Sequence, residues 1–277
     1  MAVWNAGNVA PYIPELWSTI VQVAEESNLV FGLHCDRRFE AELAYGDWLH
    51  IPLIADFGSP SAINTTNDLT TYSTNQTCVN ICVNYHYQQS VQLGEVEQLQ
   101  DHPDILVNAL KKCGYSVSKQ MDTHLGALVT GGTSSEGTMN TALTADVLIN
   151  AYEGLNELDV PDGDRLWVFD AESITDLLKL DYFVRMDYVA DSVVSKGFSG
   201  RQIFGAPVYM TTNLAGTATG HEAAYYHPEA ILLVSQMSPT VFRFDWPQRF
   251  SQVVGVKTLY GVRLARANYM VTINTRS

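Results

Sequence analysis

The 277-residue chain is 46% hydrophobic and 17% charged, with 30 Asp plus Glu against 16 Lys plus Arg. That hydrophobic share supports one large folded domain or two smaller ones and excludes a disordered chain. A formal net charge of −14 excludes a protein that holds nucleic acid through clustered Lys and Arg, while one that merely lies beside DNA stays compatible with it.

No run reaches the ~18 apolar residues of a membrane span. Met1–Pro14 lacks the basic start and apolar run of a signal peptide, so a soluble protein made in the cytosol, without membrane association, is expected. Cys35, Cys78, Cys82 and Cys113 are too few and too scattered for a disulfide-stapled fold and are expected to be reduced.

In chain order, Pro14–Ser27 reads as an amphipathic helix with Pro14 near its start and Glu15 in its first turn. Gly46-Asp47 signals a turn before Trp48–Ile54, a short β-rich run, and a polar stretch from Asp56 to Gln76 follows. Val79, Ile81, Val83, Tyr85 and Tyr87 then alternate with polar residues as one strand. Two strands flanking a long polar connection predict an extended hairpin arm, which cannot bury both of its faces on its own core. From Gly46 to Gln100 there is no Lys or Arg, yet Asp47, Asp56, Asp68, Glu95 and Glu97 are present, so the arm suits a basic surface on a neighbour.

Pro103 and Asp104 open a helix whose stripe Leu106, Leu110, Cys113, Val117, Met121, His124 and Leu128 recurs every three or four residues. Gly131-Gly132 is expected to stop it in the left-handed conformation. Next come a helix carrying Leu143, Val147, Leu148, Ala151 and Leu155, a Pro161–Gly163 turn, a buried strand at Arg165–Phe169 and a helix at Ala171–Leu180. Strands follow at Ala206–Met210, Ala230–Val234, Gly255–Ala265 and Tyr269–Ile273, an α+β pattern.

Chemical motifs are sparse. Cys78, Cys82 and His86 sit four apart, but on a strand Cys78 and Cys82 stand ~13 Å apart, too far to share a zinc ion. Gly131–Gly137 has the composition of a phosphate loop but follows a helix and lacks a Lys, so it reads as a hinge or a helix stop. His34-Cys35-Asp36 and Tyr226-His227 offer nucleophile and base types without a recognisable catalytic spacing. Arg243, Arg249, Lys257, Arg263, Arg266 and Arg276 concentrate positive charge near the carboxyl end. A basic end and an acidic arm suit a self-assembling subunit, a solvated strand face being the alternative.

The order of these elements resembles the major capsid proteins of tailed bacteriophages, which have the HK97-type fold. The residues that carry the resemblance are Ile13-Pro-Glu-Leu-Trp17, Asn28-Leu-Val-Phe31, Gly46-Asp-Trp-Leu-His-Ile-Pro52, the alternation from Val79 to Tyr87, the Pro103 helix, and Tyr260-Gly-Val-Arg-Leu-Ala-Arg266. The resemblance implies an α+β, HK97-like capsid fold: an amino-terminal arm (1–45), an extended β-hairpin loop (46–94), a peripheral domain with a spine helix (95–136), an axial domain (137–241) and return strands of the peripheral domain (242–277).

It implies a structural protein, not an enzyme, that self-assembles into hexamers and pentamers of an icosahedral shell enclosing double-stranded DNA without sequence-specific binding. No cofactor or metal is expected. The implied partners are other copies of itself, a portal protein, and scaffolding and decoration proteins, and the implied location is the virion after synthesis in the host cytoplasm. The expected subunit-interface residues are Trp17, Asp56, Asp68, Arg263 and Arg266. A loop without Lys implies no isopeptide cross-link of the kind some members form, and a first shared motif at residue 13 implies a separate scaffolding protein or none. The alternatives are an encapsulin-like nanocompartment shell and, from another class, a soluble α+β enzyme using His34, Cys35 or His227, which should stay a small oligomer.

Overall fold

The computed structural model describes residues 29–43, 45–54, 60, 76–96, 105–180, 202–217 and 220–276. The expected helix at 14–27, the polar connection of the arm, and Trp17, Asp56 and Asp68 lie outside the described residues.

The first half holds β1 (Trp48–Ile54), β2 (Gln76–Cys82), β3 (Tyr85–Gly94), α1 (Ile105–Gly126), β4 (Ser134–Glu136), α2 (Ala145–Glu157), β5 (Leu166–Phe169) and α3 (Ala171–Leu177). The second half is strand-rich: β6 (Gln202–Ile203), β7 (Ala206–Met210), β8 (Gly216–Thr217), β9 (Gly220–Tyr226), β10 (Ile231–Trp246), β11 (Ser251–Leu264) and β12 (Met270–Asn274). The molecule is α+β, and no described helix is long and apolar enough to cross a membrane.

β1 and β2 pair antiparallel, with Trp48 opposite Cys82 and Ile54 opposite Gln76, and form a two-stranded sheet by themselves. This pairing of the two strands is the one expected of the hairpin. The single strand expected through Tyr87 is instead broken at Val83-Asn84, because β3 leaves the arm to pair with β11 in the sheet β10-β11-β3. Two contacts hold the switch. The Val83 N–H donates to the Asp47 carbonyl at 2.9 Å. Gly261 of β11 lets the Cys82 carbonyl approach so closely that a Cβ there would stand 2.4 Å from its oxygen.

α1 is about 33 Å long at ~1.5 Å per residue and buries Cys113, Val117 and Met121 of the apolar stripe seen in the sequence, together with Leu125, which lay outside that stripe. Cys113 and Val117 pack on Val256 of β11, with Val91 of β3 beside them. The helix tightens into a 3₁₀ turn over Ala127–Gly131, and Gly132 follows at φ −59° and ψ 145°. The glycine stop is therefore not left-handed as expected. Gly132 is required by close packing, since a Cβ on it would lie 2.7 Å from Thr272 Oγ1.

The seven-stranded sheet runs β4-β12-β9-β5-β7-β6, with β8 on β9. The segment read as a hinge or stop thus contains β4, which pairs parallel with β12 from Val271↔Ser134 to Ile273↔Glu136. Of the stretch 242–277, β11 lies in the three-stranded sheet and β12 in the seven-stranded one.

All four residues of β5 are buried, and their alternation feeds two cores. Trp167 and Phe169 join Leu148, Ala151 and Leu155 of α2 and Tyr225 of β9, with the Trp167 and Tyr225 rings 3.8 Å apart. Leu166 and Val168 face the other way, onto Phe31, Met121, Leu125, Tyr226 and Tyr260. That second core is shared by the seven-stranded sheet, α1 and β11, so hydrophobic burial ties the sheets to the helix.

Candidate assembly surfaces

The arm is anchored along one face. Leu49, Ile51, Ile81 and Val83 pack on Phe39, Leu43, Leu232 and Val234, as the period-2 pattern requires. Its other face presents Trp48, His50, Cys78 and Asn80 to solvent, with Trp48 52% exposed. Trp48 stacks on His50 at 6.4 Å, and His50 Nδ1 lies 2.7 Å from Asn80 Oδ1. Cys78 and Cys82 both lie on strand β2, and among the described residues no group of three or more His, Cys, Asp or Glu is placed to hold a metal ion.

The two arginines expected at the subunit interface differ in their surroundings. Arg263 on β11 is exposed, opposite Leu232. Arg266 is held within its own chain. Its Nη1 lies 3.3 Å from Glu229 Oε2 and donates to Tyr269 Oη at 2.9 Å, and its guanidinium stands 4.9 Å from the Tyr269 ring centroid. Glu229 also meets Arg38 Nη2 at 3.0 Å, and Arg38 grips Asp36 through Nε at 3.0 Å and Nη2 at 2.8 Å. Burial alone would raise the Asp36 carboxyl, but hydrogen bonds from Arg38 outweigh it and hold it below the usual range. This cluster joins residues 36–38 to the ends of β10 and β11, where the Asp36 N–H donates to Ile231 O at 2.9 Å.

His34, Cys35 and His227, the residues of the enzyme alternative, line one cleft of about 940 Å³. Each of the three makes contacts within the chain. Cys35 Sγ donates to Gly32 O at 3.6 Å, and burial pushes its thiol upward, away from the thiolate that a nucleophile needs. Burial lowers both histidines. The His34 ring lies 4.3 Å from that of Tyr209, and His227 Nδ1 accepts from the Glu229 N–H at 3.3 Å, capping the Pro228–Ala230 turn.

One surface escaped the sequence reading. β10 runs on from Val234 to Trp246, and its outer half exposes Val241, Phe244 and Trp246, with Phe250 beyond the turn. Phe242 and Phe244 stack at 5.7 Å. Cross-strand neighbours share a face, so Phe242, Phe244 and Trp246 lie with Gly255, Val253 and Ser251 of β11. The signal was the alternation Phe242-x-Phe244-x-Trp246, obscured by Pro239, which sits at a register shift of this edge strand.

No family model and no curated relative matches the sequence. Solved structures do match it over nearly its whole length. A structure of Mycobacterium phage Che8 has a TM-score of 0.81 at 19% identity, covering 95% of this chain and 97% of the other. The capsid structure of the cyanophage P-SCSP1u gives 0.80 at 13% identity, over 97% and 94%. The asymmetric unit of the bacteriophage PhiM1 mature capsid gives 0.74 at 15% identity, over 95% and 92%. At these identities the likeness is one of fold, and the chain has the α+β architecture of phage capsid proteins of the HK97 type.

Proposed function

We propose that the chain is the major capsid protein of a tailed phage, a structural subunit that assembles into hexamers and pentamers of an icosahedral shell around double-stranded DNA. The observation that carries this reading is the match to phage capsid structures over more than nine-tenths of both chains. The anchored arm supports it: a two-stranded sheet with one face on the core leaves Trp48 and two strand edges for a neighbour. So does the acidity, because a wall of net charge −14 repels packaged phosphate instead of gripping it.

On this reading 1–45 is the amino-terminal arm, 46–94 the extended loop, 95–136 the peripheral domain with α1 as its spine, 137–241 the axial domain, and 242–277 the returning strands. The subunit contacts are Trp17, Asp56 and Asp68 with the exposed Arg263, while Arg266 contributes by fixing the ends of β10 and β11. Portal, scaffolding and decoration proteins are the further partners, and the site of action is the virion after synthesis in the host cytoplasm. Catalysis is not part of this role, and a raised Cys35 thiol in the cleft it lines with His34 and His227 supports that reading.

Negative-stain electron microscopy with sedimentation velocity tests the proposal on the purified protein, alone and with the products of neighbouring genes. Closed shells tens of nanometres across are expected, and a uniform small oligomer in every condition would sink it. The contents separate a virus from an encapsulin-like compartment: nuclease-protected DNA belongs to the first, an enclosed protein to the second.

A further inference from the structure

α1 carries its charge against the trend of the chain. Its 22 residues include Lys111, Lys112 and Lys119, while its one acid, Asp122, is fully buried. Asp122 is engaged inside the molecule, where Oδ1 accepts from the Gly32 N–H at 3.0 Å and Oδ2 from Asn213 Nδ2 at 2.9 Å. The helix therefore presents cations with no exposed carboxylate beside them on the same element, in a chain that has 30 acidic residues against 16 basic ones.

The lysines stand away from the sheet. Cys113 and Val117 turn the inner side of the helix onto Val256, whereas Lys112, Ser116, Lys119 and Thr123, at spacings of three and four, share one outer ridge with Lys111 on its flank. Lys112 and Lys119 are two turns apart, ~10.5 Å along the axis. Lys111, Ser116, Lys119 and Thr123 are exposed. Among the described residues neither Lys111 nor Lys119 takes part in an ion pair, although Arg37, Arg38, Arg165, Lys179, Arg266 and Arg276 each meet a carboxylate. From residue 108 to 126 no large apolar side chain of α1 is exposed.

We propose that the outer ridge of α1 is a contact for the phosphate backbone of double-stranded DNA, made without reading its sequence. The inference rests on the shell reading and assigns the face of the subunit that meets the contents. Charge complementarity selects the occupant: ammonium and hydroxyl donors suit phosphate oxygens, and lysine, a point charge, needs no fixed geometry on its partner. A protein partner would be expected to find a large apolar or aromatic anchor, which this ridge lacks. Three lysines are few, so one subunit holds DNA weakly and a shell presents the ridge many times over. The net charge of −14 opposes any wider contact, which leaves DNA touched at repeated points and free to leave.

The test measures fluorescence anisotropy of a labelled 20-base-pair duplex against the unassembled full chain over a series of low salt concentrations. It compares the unaltered chain with Lys111→Gln/Lys112→Gln/Lys119→Gln and with a charge-matched control, Arg243→Gln/Arg249→Gln/Lys257→Gln. Urea unfolding checks that each variant folds, and electron microscopy counts closed shells. The α1 variant should bind the duplex roughly tenfold or more weakly, with a slope of log affinity against log salt reduced by about two to three, and should close shells as the unaltered chain does. The control should keep most of the affinity. Equal losses in both variants would reduce the effect to net charge and overturn the contact, as would an α1 variant that binds normally or an unaltered chain that binds no duplex. Polyglutamate held as tightly as the duplex would overturn it in favour of an acidic protein, and loss of shells by the folded α1 variant in favour of another copy. All these outcomes leave the shell reading intact, whereas an unaltered chain that never closes would overturn both.

Discussion

Asp176 shows what one buried carboxylate contributes. It is 2% exposed and is met by Arg276 Nη2 at 2.6 Å, Arg276 Nε at 2.8 Å and Lys179 Nζ at 2.9 Å. Burial by itself would raise this carboxyl, yet the hydrogen bonds from Lys179 and Arg276 outweigh it and leave it below its ordinary value. A depressed folded value means that the stabilisation is complete above the unfolded Asp value of about 3.9 and is lost as pH falls through the folded one. Asp176→Asn should therefore cost about 3 kcal/mol at pH 7, read by urea unfolding of the unassembled chain. The gap from the unaltered protein should narrow as pH falls below about 3.9 and through the lowered folded value, and a gap independent of pH would contradict the ion-pair account. The pairing with Arg276 was not legible in the sequence, because 100 residues separate it from Asp176. Arg266 makes the same point: its place in the basic carboxyl end is plain from the sequence, but its hold on Glu229 and Tyr269 is not.

Among the elements, those with a one-sided pattern were legible. β1 occupies Trp48–Ile54 as expected, and α1 buries the stripe through Cys113, Val117 and Met121 because a helix on a sheet needs one apolar face. β9 was missed because it is buried on both sides, with Ala223 and Tyr225 in one core and Ala224 and Tyr226 in the other, so no polar alternation marks it. β4 was missed because Ser-Ser-Glu has no strand signal of its own and is made a strand by pairing with β12. The break between β2 and β3 is likewise a matter of partners. Gly261→Ala should force a methyl group against the Cys82 carbonyl and lower stability by about 2 kcal/mol or more. Urea unfolding of the unassembled chain reads the loss, and an unchanged midpoint would mean that the junction relaxes freely.

The molecule as a whole combines a stretch without a cation, Gly46–Gln100, with an exposed Arg263 on a separate strand. Opposite charges on different parts of one chain favour contact between copies and set its register more than its strength. Reversing Asp56 and Asp68 to Lys should therefore reduce particle yield while leaving the urea midpoint of the monomer within about 0.5 kcal/mol of the unaltered chain. Equal yields for the two proteins would remove the acidic arm from the assembly contacts.

By itself the sequence determined the α+β class, the hairpin arm, the long helix and the charge asymmetry, all of which follow from local periodicity and composition. Only the tertiary structure decided which sheet each strand joins, that the glycines after α1 answer to Thr272 and Leu264, and that Arg266 is held at home. The physical reason is range. Side-chain periodicity is written in neighbours two to four residues apart, whereas strand partners and ion pairs such as Asp176 with Arg276 are set by groups brought together from distant parts of the chain.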